Sequence, residues 1–432
     1  MEKLKKILIM VLLLMLPYHH QIIYILMSDF EVVRFWKEFV IIVLVFITFL
    51  QIITGKKKVT ISLFEILLLA FMAVVFVYVC AADSKYQALY ISRTYFIPMF
   101  LVPVIKYTDI TKNELKKALY IVMANTIVIC IWGIVQAQFL GDEFLVNLGY
   151  GTQRVRHMIK LKNEFYILGG GFMQRVASTF AAPNTCGMYL AIVIVIIVFM
   201  YKDMNINKVY VYITLFISAV TLVLTFSRTS WIACFAALMV HFNMFVKWDK
   251  KTWKKVILCT VSAGVLIIIA DIFIIRSGII MAGCKLITNT VTGQDSSLIG
   301  HFNSWCESVI RIFRHPLGLG LGNNGPRAMR FLKKPNLTES SYFLMAYEVG
   351  IPGAAIYFSS YIIATLDNIR LYKNTGNKKV LAILSVLIIM YLGYLSLPFI
   401  QDFELLVLMY IIVALQYNRL SADNPAGERI VV

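Results

Sequence analysis

The chain is poor in charge. Only 15% of its 432 residues are Asp, Glu, Lys or Arg and 60% are apolar, where a soluble domain carries ~25% charge. A chain of that make-up cannot keep its surface wet, which excludes a soluble globular protein and leaves a polytopic membrane protein. Acidic residues are the scarcer sign, 23 against 41 basic, for a net charge of +18. In a soluble protein that excess would suggest nucleic acid. In a membrane chain, lysines retained on the cytoplasmic side orient the helices, so no nucleic-acid partner is expected. Metal-ligand spacing is absent as well. Cys80, Cys130, Cys186, Cys234, Cys259, Cys284 and Cys306 form no C-x-x-C pair and no Cys/His cluster of zinc spacing, so neither metal nor cofactor is expected. Most of them lie in apolar runs, as small hydrophobes. Cys284 and Cys306 share one loop, which leaves a disulfide between them open. No small-residue cleavage site follows the first apolar run, which favours an uncleaved span over a removed signal peptide.

What is present is a series of apolar runs. A helix needs ~20 apolar residues to cross a bilayer, and loops rich in Lys or Arg stay in the cytoplasm. By those rules about twelve spans are expected. The first follows Lys3, Lys5 and Lys6, and the others lie near 35–53, 61–80, 88–105, 119–140, 184–200, 209–226, 229–245, 256–275, 341–364, 380–395 and 399–415. The lysine clusters fall on alternate loops. This predicts cytoplasmic termini and places two long polar segments, 141–183 and 276–338, on the outer side. The expected fold is all-α, one integral membrane domain whose two external loops form a working face.

Both external loops break the charge rule. The first carries Arg154, Arg156, Lys160, Lys162 and Arg175, and the second carries Arg311, Arg314, Arg327, Arg330, Lys333 and Lys334 among others. Long translocated loops tolerate charge, but two basic loops on one face suggest an anionic ligand, and arginine suits phosphate. Arg93, Arg228, Glu65, Asp271, Asp402 and Glu404 lie in or beside apolar runs, where charge is costly and functional by default, with structural ion pairing as the plain alternative. Arg228 sits at an outer tip and is the best placed. Glu65 falls in the inner half of its span and reads as structural.

Within the second loop, Trp305, Val309, Ile310 and Phe313 have helical spacing, so 304–313 reads as an amphipathic helix on the membrane, with Arg311 and Arg314 toward headgroups or a phosphate. Gly320 to Gly325 matches G-x-G-x-x-G, but no βαβ unit surrounds it. The glycines there read as tight turns and close backbone approach to a ligand. Pro183-Asn184 reads as ordinary helix-start chemistry, which leaves Arg175 unexplained. Glu339 opens the tenth expected span. It is either an acid that complements the helix dipole or a general base at the membrane surface.

Several stretches together resemble the O-antigen ligase and O-antigen polymerase superfamily of bacterial envelope enzymes. They are Trp132-Gly133-Ile134-Val135-Gln136, the run Arg175–Gly187, Thr225-Phe226-Ser227-Arg228, the run Asp295–Trp305, the run His315–Gly322 and the run Glu339–Gly353. The resemblance implies a metal-independent glycosyltransferase of the cytoplasmic (inner) membrane, acting on glycans linked to undecaprenyl pyrophosphate. A chain-length regulator protein is a further partner it suggests. It implies that Arg175, Arg228, Arg311 and Arg314 hold pyrophosphate. Ligases of the family carry a His-Asn pair where this chain has Glu339-Ser340, and many members have arginine where it has His301. That departure points to a polymerase, with Glu339 as base or acceptor-orienting group and His301 assisting. A ligase that moves a finished glycan to a lipid or protein acceptor is the nearest alternative. A lipid-linked sugar flippase is the more distant one. It would need charges along a path through the membrane, whereas the basic residues here gather on one face and no internal repeat is evident.

Overall fold

The computed structural model describes residues 1–26, 34–57, 59–155, 158–167, 173–245, 288–289, 292–293, 296–333, 337–377 and 380–418. The architecture is a helical membrane bundle. Its described helices are α1 (Glu2–Met15), α2 (His19–Leu26), α3 (Trp36–Ile53), α4 (Leu63–Ala81), α5 (Lys85–Met99), α6 (Leu101–Lys106), α7 (Lys112–Val135), α8 (Gly141–Asn147), α9 (Pro183–Met200), α10 (Lys208–Leu224), α11 (Arg228–Phe245), α12 (Ser296–Arg314), α13 (Ser341–Thr375), α14 (Val380–Ser396) and α15 (Phe403–Ala414). The described strands are a hairpin of two four-residue strands, β1 (Thr152–Val155) and β2 (Met158–Leu161), in the loop between α8 and α9.

Six described helical segments are long and apolar enough to cross a membrane, and four more are apolar but shorter. They coincide with the second to eighth and tenth to twelfth spans expected from the sequence. The first expected span corresponds to the 14-residue α1, which ends at the 3-10 turn Leu16–Tyr18 that holds Pro17. The ninth, 256–275, lies outside the described residues, as do Asp271 and Cys284. Cys306 is a free, exposed thiol.

Local chemistry sets the helix starts. Ser62 and Glu65 form a capping box at the head of α4, and Thr111 and Glu114 form one at the head of α7. Glu65 also meets Lys106 at 2.5 Å, which makes it the structural carboxylate its position suggested. Helices α9 and α15 are apolar on every side and are buried on nearly every side, as that pattern requires. They form the centre around which α7, α10, α11, α13 and α14 pack.

Two expectations change at the end of the bundle that carries the long loops. The amphipathic helix starts eight residues earlier than 304, so His301 is helical. Its apolar side, with Phe302, Val309, Ile310 and Phe313, is exposed, while Ser308 and Ile312 face inward. The glycine run, expected to approach a ligand, instead approaches α13. That helix is broken at Val349 (φ −116°) and Gly350 (φ 72°). A break inside a membrane helix frees backbone groups that must find partners. The glycine loop supplies them: Leu319 N donates to Tyr347 O (2.8 Å), Gly320 N to Glu348 O (3.1 Å), and Ile351 N to Pro316 O (2.8 Å). A Cβ at Gly318 would sit 2.5 Å from Gly350 N, and one at Gly350 would sit 2.6 Å from Leu317 C, so neither position admits a larger residue. Glu348 completes the join. Its Oε1 accepts Gly322 N at 2.9 Å and its Oε2 accepts Tyr95 Oη at 2.5 Å.

Candidate active site

The two long loops meet the helix ends at one face, and the residues singled out in the sequence fall there in two groups. The first is built on α12 and the start of α13. His301, Ser304, Trp305 and Ser308 are spaced i, i+3, i+4 and i+7, which is one face of a helix. Every one of them engages the segment 337–339. Ser304 Oγ donates to Leu337 O (3.2 Å) and accepts Glu339 N (3.3 Å). Trp305 Nε1 donates to Glu339 O (3.4 Å), and Ser308 Oγ pairs with Thr338 Oγ1 (3.2 Å). Buried Asn324 holds the other side of Thr338, accepting its N–H at 3.1 Å and donating to its hydroxyl. The result brings His301 Nδ1 to 2.5 Å from Glu339 Oε2. The carboxylate oxygen lies off the axis along which that nitrogen would donate. Both side chains remain reachable, His301 22% and Glu339 42% exposed. The two candidate catalytic residues, 38 positions apart, are therefore one constellation.

The second group is built on Arg175. The sequence reading treated Asn184 as helix-start chemistry, and that is corrected here. Pro183 takes the first helical position, Ala182 is the cap, and Asn184 Oδ1 instead accepts Arg175 Nη2 at 2.6 Å. Arg175 also donates from Nε to Thr225 O (2.8 Å) and from Nη1 to Glu164 O (2.9 Å). One guanidinium thus ties the head of α9, the tail of α10 and the external loop together. Five N–H donors in a rigid fork make arginine suited to this, and two of the five are left over for a ligand. Burial lowers the Arg175 guanidinium to about 10, with Glu164 opposing and the nearby Arg228 charge adding to the shift. The side chain is still charged at neutral pH.

The two groups share a support. Thr229, next to Arg228 at the head of α11, bonds Ser396 through their hydroxyls at 2.7 Å. Ser340, next to Glu339, donates to Tyr394 O at 3.1 Å, and Ser341 donates to Leu397 O at 2.8 Å. Both helix heads therefore grip the turn that ends α14. Arg311 and Arg314 lie about three turns along α12 from His301, roughly 15–20 Å by helix rise. Arg311 is 3.8 Å from Glu307, one turn back.

Sequence reasoning missed Ser304, Ser308, Asn324 and Glu164, and it counted Trp305 with the apolar membrane side of 304–313, whereas its Nε1 turns to Glu339 O. The i, i+3, i+4, i+7 polar spacing from His301 was available as a signal. Asn324 and Glu164 carried none, since their partners are distant in sequence. Of the other flagged charges that are described, Glu404 meets Lys37 Nζ at 2.9 Å, Arg93 meets Glu38 at 3.0 Å and Asp402 Oδ2 accepts the Thr185 hydroxyl at 2.8 Å.

Residues 213–358, about a third of the chain, match the family model Wzy_C, described as O-antigen ligase. The matched segment includes Arg228, His301, Arg311, Arg314 and Glu339. No curated protein matches the chain. The match supports glycan transfer of the O-antigen ligase and polymerase type at a membrane, with a lipid-linked glycan as substrate.

Proposed function

We propose that the protein is a polymerase that joins oligosaccharide repeat units carried on undecaprenyl pyrophosphate into a surface polysaccharide. The reaction takes place at the outer face of the bacterial cytoplasmic membrane, with both chain termini on the cytoplasmic side. The observation that carries this reading is the His301–Glu339 contact at 2.5 Å, held by α12 against the head of α13. The resemblance expects an imidazole on α13 itself. Here a carboxylate stands at that place, and α12 delivers the imidazole to it.

The chemistry follows from that pair. A hydroxyl of the acceptor glycan attacks the anomeric carbon of the donor glycan. The hydroxyl proton passes to the Glu339–His301 pair, the new C–O bond forms, and the bond from the anomeric carbon to pyrophosphate breaks. The lipid pyrophosphate leaves as an anion. A positioned base contributes ~10²–10⁴-fold to such a step. Arg175 and Arg228 meet the leaving charge, and Arg311 and Arg314 guide the donor from the membrane surface. Preorganised cations aimed at developing charge form a large part of such catalysis, because they need not reorganise during the reaction. The external loops 141–183 and 276–338 act as the walls of this face.

The description of the matched family favours a second reading, the ligase that moves a finished glycan to another acceptor. Purified protein incubated with lipid-linked repeat units separates the readings. A ladder of longer lipid-linked products is the expected result. Transfer of preformed glycan to a different acceptor without lengthening would mean ligase, and passage of the lipid between leaflets without new bonds would mean flippase.

A further inference from the structure

One cluster at the same end of the bundle takes no part in the site above. Two arginines stack on the ring of Tyr90 in α5 and a third lies beside them. The Arg93 guanidinium lies 4.2 Å from the ring centre and that of Arg330 lies 4.7 Å away. Arg330 also donates to the Tyr90 hydroxyl at 3.0 Å. Arg327 reaches in from the 3-10 turn Pro326–Arg330 and donates to Thr94 Oγ1 at 2.8 Å. Glu38 answers Arg93. Arg327 has only neutral acceptors, with no carboxylate within 4 Å among the described residues. Aromatic rings frame the cluster. Phe331 stands edge-on to both Tyr86 and Tyr90, with centroids 5.9 and 5.4 Å apart, and Phe35 lies 4.6 Å from the Arg93 guanidinium. Tyr86, Phe35 and Arg330 are exposed, so the cluster opens outward.

Interfacial aromatics alone would be ordinary membrane anchors. Anchors spread around a bundle, though, and do not require two guanidiniums stacked on one ring with a third beside it. Like charges gathered this closely repel one another; Glu38 balances Arg93, whereas among the described residues no carboxylate within 4 Å meets Arg327. Stacked, planar guanidiniums suit phosphate oxygens, and the flat aromatic faces suit the sugar that follows. The cluster is also tied to the catalytic corner. Arg327 N donates to Gln401 Oε1 at 3.2 Å, and neighbouring Ile400 N donates to Ser341 Oγ at 3.2 Å, two residues from Glu339.

We propose that Arg93, Arg327, Arg330 and Tyr90 form a second anion site, which holds the pyrophosphate of the acceptor repeat unit while the Arg175–Arg228 side holds that of the donor. The inference rests on the polymerase reading, in which both substrates carry a lipid pyrophosphate. A ligase with a different acceptor would need one such site.

Farnesyl pyrophosphate is the probe, bound to wild-type protein in nanodiscs at equilibrium. Two equivalents are expected. Arg330→Glu, a change at an exposed position, should leave one, and Arg228→Gln should remove the other. Arg330→Lys should keep most of the binding, which a purely structural role for the guanidinium would not predict. In elongation, Arg330→Glu should raise the KM for the repeat unit at least about tenfold, with kcat largely kept. One equivalent in the wild type, or two retained in Arg330→Glu, overturns the proposal. Failure of the polymerase reading is distinct. Two equivalents with this sensitivity but no elongation by the wild type would leave the anion site standing and remove its acceptor role. Elongation by the wild type that Arg330→Glu does not change would leave the polymerase reading standing and overturn the acceptor role of this site.

Discussion

Two of the carboxylate–cation contacts near the same end of the bundle differ in how open they are. Glu404 meets Lys37 at 2.9 Å with the side chains 21% and 6% exposed, whereas Glu339 meets His301 at 2.5 Å with 42% and 22% exposed. Lys37 is also covered by the Phe403 ring, 4.6 Å away, and His19 closes the other side of Glu404 at 3.7 Å. The Lys37–Glu404 pair is thus covered from both sides. The open pair is braced by Ser304, Trp305 and Ser308, yet keeps one face free. Pairing therefore identifies a costly charge, while access separates structural from chemical use.

That contrast can be broken or sharpened by substitution. Glu404→Leu should be the most damaging to the fold, because it strands the Lys37 charge in the interior. A buried pair broken on one side costs ~3–5 kcal/mol, and thermal unfolding in detergent should show it. Gly318→Val should come next. Its side chain would meet the backbone of Gly350, and overpacking of this kind costs ~1–3 kcal/mol. Measured by the same unfolding, it should also depress elongation, since the glycine loop carries Asn324 to Thr338. Arg175→Lys should fold nearly normally but lose ~10-fold or more in turnover, because an ammonium cannot serve the acceptors on α9, α10 and the external loop together while still facing a phosphate. Glu307→Ala, which removes the exposed partner of Arg311, should move stability by no more than ~0.5 kcal/mol. A loss from that change as large as the one at Glu404 would mean that exposure does not divide the two classes.

Much of the bundle could be read from the sequence. Apolar runs of the right length, Lys56 and Lys57 after α3, and Ser62–Glu65 at the head of α4 all carry their information within a few residues. The break in α13 did not show itself. Gly350 and Pro352 are tolerated in membrane helices, and the segment that satisfies the freed backbone lies some thirty residues upstream. The site was legible as residue types but not as a constellation. Glu339 and His301 each stood out alone, and their contact exists only because α12 begins at Ser296 and folds back on 337–339. Arg175 was noticed for its charge, while its partner Asn184 was hidden behind an ordinary helix start. The Tyr90 cluster drew no notice. Arg93 read as an isolated charge in a span, and its companions come from a loop more than two hundred residues away.

The central claim is that Glu339, positioned against His301, takes the proton of the attacking hydroxyl. Glu339→Gln keeps the size and hydrogen-bonding reach of the side chain and removes its basicity. In the purified elongation assay, the account predicts a fall in kcat of ~10²–10⁴-fold, with unchanged melting temperature and unchanged binding of farnesyl pyrophosphate. Long-chain product at the wild-type rate from Glu339→Gln would contradict it.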